Sequence, residues 1–147
     1  MHKWLCILVI FDFLIAADDA KNQGKNKKDL DQMQGKWHAI AIEGQGKAKG
    51  ADEIKKFTLE VKKDDFSVKV NGQDHVSAKV VLRADKKPKE LDLVQETGPT
   101  YKGIYEIDTD RFKICVSVSS DADAERPKEF RTEEDSSKAY MTWERDR

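Results

Sequence analysis

The chain is poor in the residues that staple, bend or ligate. Only 2 of its 147 residues are cysteine and 3 are histidine. Zinc-finger and thioredoxin-type cysteine spacings are absent, so a structural zinc module and a dithiol redox centre lack their ligands. Pro 3 and Gly 8 are too few for a low-complexity or collagen-like chain. Charge of one sign is missing too. Lys+Arg 27 against Asp+Glu 28 leaves a net charge of -1, with no positive field to neutralise phosphates, so no nucleic-acid partner is expected. Apolar runs long enough for a membrane-spanning bundle are likewise absent. What remains is a length suited to one domain, with 38% hydrophobic and 37% charged residues and therefore a modest core.

The one sustained apolar stretch is an address. It runs from Trp4 to Ile15, interrupted by Asp12, with Lys3 before it and Ala16-Ala17 and the acidic pair Asp18-Asp19 behind. A basic start, a short apolar run and small residues at the cut describe a secretory signal peptide over 1–17. An uncleaved anchor or a buried N-terminal segment is the competing reading. Export makes the expected location secreted or periplasmic, with no membrane span after cleavage. Cleavage also removes Cys6 and leaves Cys115 as the sole thiol, without an internal disulfide. Residues 18–29 contain KNQGKNKK and no aliphatic side chain beyond alanine, which predicts a flexible polar leader. The domain proper is then 30–147.

The body has period two. Leu30 and Met33 suit one short helical turn. After it, Phe57, Leu59 and Val61 alternate with polar residues, as do Phe66, Val68 and Val70, then Val76, Ala78, Val80 and Leu82. Leu91 and Leu93, Tyr105 and Ile107, the set Phe112, Ile114 and Val116, and the set Ala139, Met141 and Trp143 continue the pattern. Such alternation marks strands with one buried face. Asn71-Gly72 is a strong hairpin signal, because both residues accept positive φ. With Trp37–Ile42 as the first strand, about eight strands follow in sequence. This predicts an all-β, up-and-down antiparallel β-barrel of eight strands; a two-sheet sandwich is the rival. Glu43 to Ile54 and Ser119 to Arg126 read as open polar loops.

Gln34-Gly35-Lys36-Trp37 resembles the Gly-x-Trp opening of lipocalins, in which the Trp closes one barrel end under a basic side chain of the last strand. Arg145 stands in the matching place. MQGKW at Met33–Trp37, KKPKELDL at Lys86–Leu93, GIYEIDTDRFKICV at Gly103–Val116 and RPKEF at Arg126–Phe130 are similar to the ordered motifs LQGxW, KPKxIDL, GIYELDGDTLKIC and RPxEF. Those belong to a largely uncharacterised family of small secreted domains, best known from planctomycete bacteria and taken to be lipocalin-like. The resemblance spans about Leu30 to Arg145. Met33 replaces Leu, and Asp108-Thr109-Asp110-Arg111 departs from the pattern before the following strand. It implies a barrel and export, with Trp37 and Arg145 as the closing pair, and no defined activity.

The residues offer little catalytic chemistry. No Gly-x-Ser-x-Gly elbow, phosphate loop or His-Glu-x-x-His helix is present. Cys115 falls on the outward phase of its strand, with Lys113 beside it, and reads as a small strand residue rather than a nucleophile. Asp121, Asp123 and Glu125 lack the glycine and distal glutamate of a calcium loop, so neither metal nor cofactor is expected. The expectation is therefore a non-enzymatic binding module. Its candidate ligand-contacting residues are Val68, Val80, Leu82, Leu93, Tyr101, Tyr105 and Ile114, for a small hydrophobic molecule inside the barrel, with a tyrosine hydroxyl near the rim. A filled barrel that meets a secreted protein partner through its loops is the alternative.

Overall fold

The structure, a computed structural model, describes the backbone of residues 9–147 and side chains from 18 onward. Of the expected signal peptide, residues 1–8 lie outside the described residues and 9–17 are described in backbone alone. Helix α1 (Val9–Met33) leads into nine strands and a short helix: β1 (Gly35–Gly44), β2 (Lys47–Ala48), α2 (Ala51–Ile54), β3 (Phe57–Lys62), β4 (Asp65–Val70), β5 (Gln73–Arg83), β6 (Lys89–Val94), β7 (Thr100–Ile107), β8 (Arg111–Ser117) and β9 (Lys138–Arg145). All pairings are antiparallel and follow chain order from β3 to β9. β1 pairs with β3 on one side and β9 on the other, which closes an eight-stranded barrel, while β2 adds a two-residue hairpin to β1. The expected eight-stranded up-and-down barrel is thus the observed one, and the sandwich is excluded.

Turn chemistry sets the register. Asn71 (φ 54) and Gly72 (φ 78) both sit in the left-handed region, the geometry a two-residue hairpin needs to follow strand twist. The Asp108 carboxylate accepts the backbone N–H groups of Arg111 (2.9 Å) and Asp110 (3.0 Å), fixing the β7–β8 turn. A bulge between Ala39 and Ala41 shifts β1 against β9, so that Ala39 and Ile42, three apart, both point inward.

The core is the lumen. Leu59, Val61, Phe66, Val68, Val80, Leu82, Leu91, Leu93, Ile114 and Val116 are buried there as the alternation requires. Four rings, Trp37, Phe66, Tyr105 and Phe112, group around Phe112 at centroid distances of 6.0–6.4 Å, and each fully buried large side chain contributes roughly 1.5–3 kcal/mol.

Three expectations meet a different arrangement. The short turn at Leu30 is the last turn of the 25-residue helix α1, and residues 18–29, expected to be a flexible leader, are helical within it. Polar anchors hold the helix end: Asn26 Oδ1 accepts the Ala84 N–H at 2.8 Å, and Asp29 is buried. The stretch from Glu43 to Ile54 is not an open loop throughout. It contains β2 and α2, and Ile54 packs against the core. Ser119 to Arg126, read as an open polar loop, has no helix or strand and opens the segment between β8 and β9, which lies along the outer wall of the barrel.

Candidate functional site

The two barrel ends differ. At one end α1 forms a floor. Met33 is fully buried, and its carbonyl accepts the Trp37 Nε1–H at 2.9 Å. The guanidinium of Arg145 lies 4.1 Å from the Trp37 ring centroid, a stacking worth about 0.5–2 kcal/mol. Arg145 also donates to the carbonyls of Gln34 (2.6 Å), Thr109 (2.8 Å) and Gln32. One side chain thereby ties the helix end, the β7–β8 turn and the last strand to one another. Gln34 adds a two-way bond with the Lys63 backbone, at 2.8 and 2.7 Å.

Beside this floor is a polar cluster gathered on the buried Asp29 carboxylate. Tyr105 Oη donates to Asp29 Oδ2 at 2.8 Å, and Lys89 Nζ reaches the same oxygen at 2.8 Å while lying 5.9 Å from the Tyr105 ring centroid. Lys89 pairs across the sheet with Tyr105 and therefore shares its inward face. Burial, reinforced by the Asp29 carboxylate, holds the Tyr105 proton far above the usual phenol range. This hydroxyl is part of the closed end. Of the two tyrosines expected to offer a hydroxyl near the rim, Tyr101 is the one at the mouth.

The opposite end is looser. Phe57, Val76, Tyr101, Ala139 and Met141 occupy inward positions at the mouth and are half-buried. Below them Val68, Val80, Leu93 and Ile114 are buried. The interior residues read from the sequence therefore separate by depth. Tyr101 lies at the mouth; Val68, Val80, Leu82, Leu93 and Ile114 lie within the lumen; Tyr105 lies against the floor.

On the outer wall, paired positions line up as Glu90, Ile104, Cys115, Tyr140 and Glu43 across β6, β7, β8, β9 and β1. The 118–137 segment runs along this row as a strap. Arg126 donates through Nη1 to the carbonyls of Leu91 and Gly103, both at 2.8 Å, and through Nη2 to Asp92 at 2.7 Å. Phe130 packs on Tyr140 with centroids 6.0 Å apart. Thr132 bonds Glu43 Oε1 through its N–H (3.0 Å) and hydroxyl (2.8 Å). Arg83 joins the Asp92 carboxylate from the other side at 2.9 Å. Burial works against the ionised Asp92, but hydrogen bonds and charge from Arg126 and Arg83 outweigh it and hold the carboxyl below its usual range.

Cys115 is covered by this strap. It points away from the lumen, as its phase requires, yet it is fully buried, and its thiol faces the Arg131 carbonyl at 3.6 Å. Burial pushes the thiol pKa up, the opposite of what a nucleophile needs. Next to it Glu125, Arg126, Lys128, Arg131, Glu133 and Lys138 line a groove of about 230 Å³ with mixed charge.

The chain matches no protein-family model, no curated protein and no solved structure. Function therefore has to be argued from this geometry.

The strap and the floor are what reasoning from sequence missed. Ile104 and Cys115 carried the signal for the strap. Both are apolar on the phase that should face water, so Gly103–Tyr105 and Ile114–Ser117 read as continuous buried runs, the mark of strands covered on both faces.

Proposed function

We propose that this protein is an extracytoplasmic, lipocalin-like binding module that takes a small apolar molecule at the open end of its barrel and performs no catalysis. The observation that carries this reading is the gradient of burial along the lumen. Trp37, Tyr105, Phe112 and Trp143 are fully buried toward the floor, whereas Phe57, Val76, Tyr101 and Met141 are half-buried at the mouth. A barrel sealed at one end and apolar but incompletely covered at the other offers a one-ended site. The apolar run before Asp18 and the resemblance to secreted planctomycete domains support an extracytoplasmic setting, with the mature chain starting at Asp18.

Native mass spectrometry of the protein purified gently from its host tests both parts. The expected result is a mature chain beginning at Asp18, carrying a small mass that is lost on denaturation. A bare chain under conditions that preserve weak complexes overturns the ligand reading. A second reading, a partner protein bound on the outer wall, is favoured by the mixed-charge groove at the strap. It requires charge reversal at Lys128 and Lys138 to abolish capture of one defined partner without disturbing the barrel.

A further inference from the structure

The lumen holds one polar atom that the fold does not satisfy. Among the described residues, Trp143 Nε1 is the buried side-chain nitrogen or oxygen without a hydrogen-bond partner. The other donors toward the floor of the lumen are committed, and the Tyr101 hydroxyl lies at the half-exposed mouth. Trp37 Nε1 donates to the Met33 carbonyl, Tyr105 Oη to Asp29, and Lys89 is paired with the same carboxylate. A buried donor left without an acceptor is costly, and native proteins seldom keep one without a reason.

Trp143 lies at the end of a track along β9. Ala139, Met141 and Trp143 are successive inward residues of that strand, the first two half-buried at the mouth and the third fully buried. Across from Trp143 on β1 stands Ala39, and across from Met141 stands Ile42. Along β9 the inward residue between the mouth and the indole is thus a methionine, unbranched and able to change rotamer to admit an apolar chain.

We propose that Trp143 Nε1–H is the polar recognition element of this lumen, and that the ligand is a neutral apolar molecule carrying one carbonyl-type oxygen, such as an aliphatic ketone or ester. The inference rests on the reading of the lumen as a ligand site. Neutrality follows from the surroundings. The charged groups that reach the interior, Asp29, Lys89 and Arg145, already bond one another or backbone carbonyls at the floor, so a fatty carboxylate would enter without a counter-charge, which is prohibitive in an apolar site. A single N–H donor suits a single carbonyl acceptor.

The test uses the full chain with ¹⁵N-labelled indoles, titrated with 2-nonanone, nonane and nonanoate. The Trp143 indole signal is assigned from its contacts to the Met141 methyl group and by its loss in Trp143→Phe. The expected result is that 2-nonanone binds about three- to tenfold more tightly than nonane, the worth of one net hydrogen bond. It should also shift the Trp143 Nε1–H resonance, leave the already bonded Trp37 indole in place, and outcompete nonanoate. In Trp143→Phe the preference for ketone over alkane should vanish while nonane still binds. Equal binding of ketone and alkane with an unmoved Trp143 resonance overturns the role of the indole and leaves the apolar site standing. Binding of none of the three overturns the site itself, and the indole's role with it. A Trp143 N–H that exchanges magnetisation with a trapped water, and keeps that water when ketone is added, also overturns the proposal. The wild-type resonances decide the matter even if Trp143→Phe fails to fold.

Discussion

Tyr105 and Asp29 are 76 residues apart in sequence and meet at 2.8 Å against the floor of the barrel, the phenol donating to the carboxylate. With Lys89 on the same oxygen, this contact fastens α1 to β6 and β7. Removing the hydroxyl in Tyr105→Phe leaves Asp29 buried and short of one donor. The expected loss is about 1.5–3 kcal/mol of stability, the worth of a hydrogen bond to a charged group, since Lys89 still donates to the same oxygen. Urea denaturation checks it; a midpoint equal to the wild type's would show that the floor does not depend on this bond.

Trp37 carries the larger share of the same end. It is fully buried, touches Phe112 and lies under Arg145. Trp37→Ala is expected to cost about 3–5 kcal/mol, the range for truncating a buried large aromatic. A shift below about 1 kcal/mol in chemical denaturation would be incompatible with that burial.

Asp92 should contribute to acid sensitivity. Its carboxyl titrates lower in the folded protein than in the unfolded chain, so its contribution is complete above the unfolded value of about 3.9. That contribution is lost as the pH falls through the lower, folded value. Stability measured at intervals from pH 6 down to pH 2 should fall less steeply in Asp92→Asn than in the wild type. Parallel slopes would remove Asp92 from the account.

The strap can be read through Cys115. Arg126→Gln removes the bonds to Asp92, Leu91 and Gly103, and hydrogen bonds to charged groups are worth about 1.5–3 kcal/mol each at most. In a Cys6→Ser background, reaction of Cys115 with an aromatic disulfide reagent should be slow in the parent chain. It should accelerate at least about tenfold when Arg126 is replaced, because access to the thiolate governs the rate. An unchanged rate would mean that the rest of the strap suffices to cover the thiol.

Gly103 faces inward where β7 and β8 run together. A methyl group there would stand 2.5 Å from Val116 Cγ1 and 2.8 Å from the Cys115 carbonyl oxygen. Gly103→Ala should therefore cost about 1–3 kcal/mol by overpacking, seen as a lowered thermal midpoint. Val116→Ala in the same chain should recover only part of the loss, because the carbonyl contact remains.

Much of the barrel was legible because its alternation is local. Leu59 with Val61, Val68 with Phe66, and Val80 with Leu82 point inward on phase alone, and Asn71-Gly72 names its own turn. The floor was not legible, because it is made by polar residues in a stretch without an apolar stripe. Asn26 and Asp29 dock through partners at Ala84 and Tyr105 that only the closed fold brings near. Lys89 was hidden for a related reason. It stands in the polar run Lys86-Lys87-Pro88-Lys89-Glu90, and only its pairing with Tyr105 reveals that it faces inward. The lumen's unmatched donor was equally invisible, since Trp143 reads as one more apolar position until the partners of the other polar groups are known.

Closure of the barrel joins β1 to β9, so the first strand of the sheet waits for the last. During synthesis every other neighbouring pair can form soon after its second strand emerges, but the seam cannot form before Lys138–Arg145 has left the ribosome. Until then both edges of an open, curled sheet, on β1 and on β8, lack the strand that joins them, and the row at Ile104 and Cys115 is bare until the strap has emerged. A pairing this distant in sequence closes slowly, and an unpaired strand edge is where chains of this kind aggregate. The strand Lys138–Arg145 thus acts as the timing element of the fold: without it the lumen has one wall missing.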